Sequence, residues 1–171
     1  MGSASIPSTS FQTPDPAFGG PAVSSPGPTG HASNTVSSSS LSTSEKSCRW
    51  SGFQSPGVTP TSATLKVDWD RSASLSGSGT NDFFIEYSLN GGSTWSVLRS
   101  ESNVSGSAVG TDSVAIPTNQ DFTQVRVRDG FDATGGDVGD PGDASTTVII
   151  SGIRIEITFN IPSQVFVSNM M

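Results

Sequence analysis

An all-β chain, folded as a two-sheet antiparallel β-sandwich, is what this sequence predicts, and three observations predict it. Apolar residues recur at every second position through Leu65-Val67-Trp69, Phe83-Ile85-Tyr87-Leu89 and Ile153-Ile155-Ile157-Phe159, which is the period of a half-buried strand. Gly, Ser, Asn and Pro cluster between those runs, as turns between strands require. No segment carries a helical period, and the charged fraction is 13%, unlike the Glu- and Lys-rich faces of exposed helices. Jelly-roll and immunoglobulin-like connections both fit these strands.

With 171 residues and 32% hydrophobic content, the chain has room for one core and a tail. Residues 1–46 are rich in Ser, Pro, Gly and Thr and read as an arm or linker, flexible or extended, part of which can pack as an edge strand. The sandwich is expected over 47–160. Residues 161–171 read as a C-terminal tail or one more edge strand through Val165-Phe166-Val167.

Along the domain, Trp50 and Phe53 are the first large anchors, and Ser55 to Pro60 has the punctuation of a loop. Thr64 to Asp70 alternates as a strand, and Ser74 to Asn81 reads as a Gly-Ser loop. Phe83 to Leu98 is expected to be a hairpin turning at Asn90-Gly91-Gly92, residues that tolerate positive φ. Arg99 to Asp112 reads as a Ser- and Gly-rich connection with at most a short strand near Val104, followed by a strand ending at Pro117. Phe122 to Arg128 is expected to be a strand, Asp129 to Asp143 an acidic loop, and Thr147 to Phe159 the last strong strand, bulged or bent at Gly152.

The formal net charge is −7, and an acidic surface repels phosphate backbones and anionic headgroups, so neither nucleic acid nor membrane is the expected partner. A single cysteine, Cys48, excludes an intrachain disulfide and reads as a small buried hydrophobe. The first residues lack the basic and apolar regions of a secretory signal, and no apolar run approaches the roughly 20 residues of a membrane span.

The candidate sites each carry a plainer reading. Asp129, Asp132, Asp137, Asp140 and Asp143 lie among glycines and could supply the oxygen ligands of calcium, although their spacing matches no calcium-loop pattern and a solvated acidic loop is the expectation. Asp68, Asp70 and Glu86 could pair as carboxylates for glycoside hydrolysis only if the fold brought them together across a cleft. His31 is the sole histidine, which removes two-histidine metal motifs and most base-assisted nucleophiles. Trp69 and Tyr87 fall on the inward face, leaving Trp50 and Trp95 as candidates for stacking on a sugar. Arg126, Arg128 and Arg154 face outward, where pairing with Glu86 or Glu156 across strands is expected.

Ser88-Leu89-Asn90-Gly91-Gly92-Ser93-Thr94-Trp95 resembles the Asp-box turn of sialidase-type propellers, with Asn90 at the acidic position. The resemblance implies a structural turn closed by a side chain, not a propeller, because the motif occurs once. More broadly, Lys46 to Phe53, Leu65 to Trp69, Ile85 to Trp95 and Thr123 to Arg128 resemble β-sandwich domains of phage-encoded and secreted bacterial proteins of unassigned activity. That resemblance implies a structural or adhesive module and brings no catalytic residues and no cofactor. The expectation is therefore a non-enzymatic component of a phage virion or bacterial surface. It assembles with other protein subunits through its N-terminal arm, most simply as a homo-oligomer; the alternative is a carbohydrate-binding module.

Overall fold

The computed structural model describes residues 1–12, 32–38, 43–134 and 144–161, with the side chains of 11–12, 32–38, 43–47, 131–133 and 145–146 left aside. Among the described residues, ten strands follow in order: β1 (Gly2–Pro7), β2 (Ser10–Gln12), β3 (Ala32–Ser38), β4 (Thr43–Ser51), β5 (Pro60–Leu75), β6 (Thr80–Ser88), β7 (Ser96–Glu101), β8 (Gly106–Ala115), β9 (Arg126–Thr134) and β10 (Ala144–Phe159). One sheet runs β1-β10-β5-β8 with β3 also on β10; the other runs β2-β4-β9-β6-β7. All pairings are antiparallel. From β3 to β10 successive strands change sheets except at the β6–β7 hairpin, which gives the orders β3-β10-β5-β8 and β4-β9-β6-β7. That is the jelly-roll arrangement rather than the immunoglobulin-like one. Among the described residues no helix is long and apolar enough to cross a membrane.

The core follows from the alternation. Cys48 and Trp50 of β4, Leu65, Val67 and Trp69 of β5, Phe83 and Ile85 of β6, and Val127 of β9 meet between the sheets. Strand β10 changes parity to join them. Val148 and Ile150 face inward, the register to β5 shifts between Ile150 and Gly152, and Ile153, Ile155 and Ile157 face inward beyond the shift. An extra residue at Ser151 thus keeps both apolar sets on the core side, the bulge expected near Gly152. Phe53, Val104, Ile116 and Phe122 close the ends.

Four expectations are corrected. The connection read over Arg99–Asp112 is largely strand: β7 extends to Glu101, and β8 begins at Gly106 after a turn with φ of 53° at Asn103. Phe122–Gln124 is one turn of 3-10 helix instead of strand, because Asp121 Oδ1 accepts from the Thr123 N–H at 3.0 Å and caps it. The acidic segment is not all loop, since β9 runs through Asp129 and Asp132 to Thr134. The residues around Ser74 are strand as well, with β5 reaching Leu75.

Of the segment read as an arm, β1, β2 and β3 lie on sheet edges. β1 pairs with β10 from Gly2 opposite Phe159 to Pro7 opposite Arg154, and Ile6 enters the core. The chain then crosses between sheets: Ser8 N–H donates to Ile153 O at 3.1 Å and Thr9 N–H to Ser51 O at 3.2 Å. Ser8 Oγ donates to Ser51 O at 2.9 Å, so the crossing is fixed by hydrogen bonds on both sheets. Val165-Phe166-Val167 lies outside the described residues, as does His31.

Candidate functional site

The two tryptophans read as a sugar platform lie on opposite faces of one sheet. Trp50 is a core residue, 5% exposed, because β4 alternates Cys48 and Trp50 inward with Arg49 outward; this corrects its reading as a surface residue. Trp95 is half-buried on the outer face of the other side of that sheet, at the end of the turn that joins β6 to β7. The turn is closed by side chains. Ser88 Oγ accepts from the Gly92 N–H and donates to Asn90 Oδ1, each at 2.9 Å. Asn90 Oδ1 also accepts from the Thr94 N–H at 2.9 Å, and Gly91 and Gly92 take φ of 75° and 97°. This holds Trp95 over β4 and β9.

There the indole covers an electrostatic conflict. Arg49 and Arg128 are directly opposed across β4 and β9. Like charges in that position repel. Their guanidinium carbons lie 5.3 and 4.3 Å from the Trp95 ring centroid, and Glu86 of β6 accepts from Arg128 Nε at 2.6 Å. Cation–π contacts and one carboxylate thus hold the pair together. The ring surface turned toward these arginines is taken.

The carboxylates do not converge. Asp68 and Asp70 face out from β5, whereas Glu86 faces out from β6 in the opposite sheet, so no dyad spans a cleft. Asp68 accepts from Thr111 Oγ1 at 2.7 Å and pairs with Arg154, which also donates to Glu156 at 3.0 Å. Lys66 sits 2.8 Å from Glu156, and these two cations, Lys66 first, hold the Glu156 carboxyl below its ordinary range. The expected cross-strand pairing of Arg128 with Glu86 is thus present, whereas Arg154 reaches Asp68 across strands and Glu156 within its own strand, β10. Arg126 instead donates to the Thr123 and Val125 carbonyls at 2.6 and 2.8 Å.

Of the calcium set, Asp129 and Asp132 lie among the described residues. Asp129 continues the inward series Val125, Val127 and is 1% exposed, aligned with Cys48 on one side and Ile85 on the other. Burial pushes its carboxyl up to about 7, offset in part by hydrogen bonds from its own N–H and that of Cys48. Among the described residues Oδ1 has no hydrogen-bond partner. Asp132 lies in β9, and Asp137, Asp140 and Asp143 lie outside the described residues. Among the described residues no three His, Cys, Asp or Glu side chains are grouped to hold a metal.

What the fold does bring together is a seam along the edge where β7 of one sheet faces β8 of the other. Trp69 Nε1 donates to Asp112 Oδ2 at 2.7 Å, and Arg99 donates to the same carboxylate at 2.5 and 2.8 Å while stacking 4.5 Å over the indole. Arg99 also pairs with Glu101, which lies 3.3 Å from the nearly buried Arg71. Asp112, first among its partners, raises the Arg99 guanidinium above its ordinary value, so the cation is fixed charged. Sequence reasoning missed this seam because β8 carries no large apolar residue on its inward side: Ala108, Gly110, Asp112 and Val114.

Neither a scan against protein-family models nor a search of curated proteins finds a match to this chain.

Proposed function

We propose that the chain is a structural or adhesive jelly-roll module, a component of a phage virion or bacterial surface, that joins other copies through its N-terminal segment. The observation that carries this reading is how that segment is attached. β1 and β2 are both added at sheet edges, one on each sheet, by main-chain ladders, with Ile6 of β1 buried in the core. Such a ladder is made equally well with the same edge of a neighbouring copy. The outer faces are lined by Ser, Thr and paired charges, which suits a displayed surface.

Size-exclusion chromatography with light scattering on the full chain and on a chain lacking residues 1–12 tests the reading. The full chain is expected to run as an assembly of several copies and the shortened one at lower mass, with the strand signal in circular dichroism retained. Equal masses for the two would overturn it.

A further inference from the structure

We infer that β8 is a second assembly surface, the edge at which two copies pair β8 to β8, antiparallel, into one sheet continuous across both sandwiches; the inference rests on the assembly reading above and names a contact for it. β8 ends its sheet, and no described strand pairs its far side. Edge strands are protected from such pairing when they are short, carry lysine or proline, or are bulged. β8 has none of these features. It is ten residues long, against three to seven for β1, β2, β3 and β7, and its register to β5 is unbroken from Ala73 opposite Gly106 to Thr64 opposite Ala115. By contrast β7, the edge of the other sheet, is interrupted by a register shift and carries Arg99 and Glu101.

The occupant follows from charge. On a chain of net charge −7 a second copy is repelled by most surfaces. The outward side chains of β8 are Ser107, Val109, Thr111, Ser113 and Ala115, all uncharged. The strand's one charge, Asp112, points inward. Inward charges also guard edges, since pairing can bury them without a partner; Asp112 already accepts from Arg99 and Trp69, so pairing at β8 leaves it partnered. Antiparallel pairing sets residues of the same facing opposite each other, so Val109, 75% exposed, meets Val109 or Thr111 of the other copy. Val109 also borders a shallow groove of about 400 Å³ with Asp70, Thr111, Ile149 and Ser151, on the outer face beside the edge. The nearest outward carboxylates, Asp70 of each copy, stand three strand spacings apart, about 14 Å, beyond the screening length of physiological salt.

The test is light scattering on the full chain carrying Ser107→Lys and Val109→Lys, beside a Ser107→Ala, Val109→Thr control. Both sites are exposed, so the urea midpoint serves as the check that the fold is intact. The lysine pair is expected to lower the assembled mass about twofold, and the control to leave it unchanged. As a second measurement, Val109→Cys copies mixed with Thr111→Cys copies, or either alone, should yield a disulfide-linked pair on oxidation, the native Cys48 being buried. A mass unaffected by the lysine pair, with no cross-link at any of these pairings, overturns the β8 contact while leaving assembly through residues 1–12 standing. A full chain that runs at the mass of one copy overturns both.

Discussion

Asp129 shows how one side chain sets the response of the whole fold to pH. Its carboxyl titrates near 7 in the folded chain and near 3.8 unfolded, so between these values the folded state holds the extra proton. Stability from this group is complete below the unfolded value and is lost as pH rises through the folded one, by at most roughly 4 kcal/mol. Urea denaturation at pH 5 and pH 8.5 is expected to show the native chain weaker at the higher pH, and Asp129→Asn to remove most of that difference. Trp95→Ala uncovers the opposed Arg49 and Arg128, and a loss of about 1–2 kcal/mol in the same measurement is expected. These two roles were unequally legible. Asp129 lies in step with Val125 and Val127, but its glycine and aspartate neighbours carry the stronger signal of a loop. Trp50 was misread for a related reason: its strand begins in a Ser- and Thr-rich segment with little alternation to place it.

At the scale of elements, strong period-two runs were readable and weak ones were not. β5, β6 and the second half of β10 carry large apolar residues at alternate positions, and the structure follows them. β8 presents small residues inward because its partner strand fills the space. A Cβ at Gly110 would lie 2.7 Å from Trp69 Cζ2, so the indole of β5 occupies the volume that β8 leaves. Gly110→Ala should therefore cost about 1–3 kcal/mol in a urea titration, whereas Ser113→Ala, on the opposite face of the same strand, should be near neutral. The bulge of β10 makes a sharper prediction. Deleting Ser151 would put Val148 and Ile150 out of step with Ile153, Ile155 and Ile157, so one set must face water. Loss of the cooperative unfolding transition is expected; a cooperative transition at the native midpoint would mean that the parity argument is mistaken.

For the whole molecule, the two-sheet sandwich was legible from periodicity and composition, but its connections were not. The choice of jelly roll rests on which strands are neighbours, and that pairing is decided by contacts far apart in sequence, such as β10 lying between β1 and β5. The same long-range pairing places the N-terminal residues on β10, the contact from which the proposed joining of copies is argued. The most direct measurement uses the β1–β10 register, in which Ser3 lies opposite Thr158. Copies carrying Ser3→Cys are mixed with copies carrying Thr158→Cys, unfolded and refolded together, and oxidised. A covalent dimer containing one of each is the predicted product. No such dimer, while the double variant closes the same disulfide within a single chain, would show that β1 stays at home and would contradict assembly through this segment.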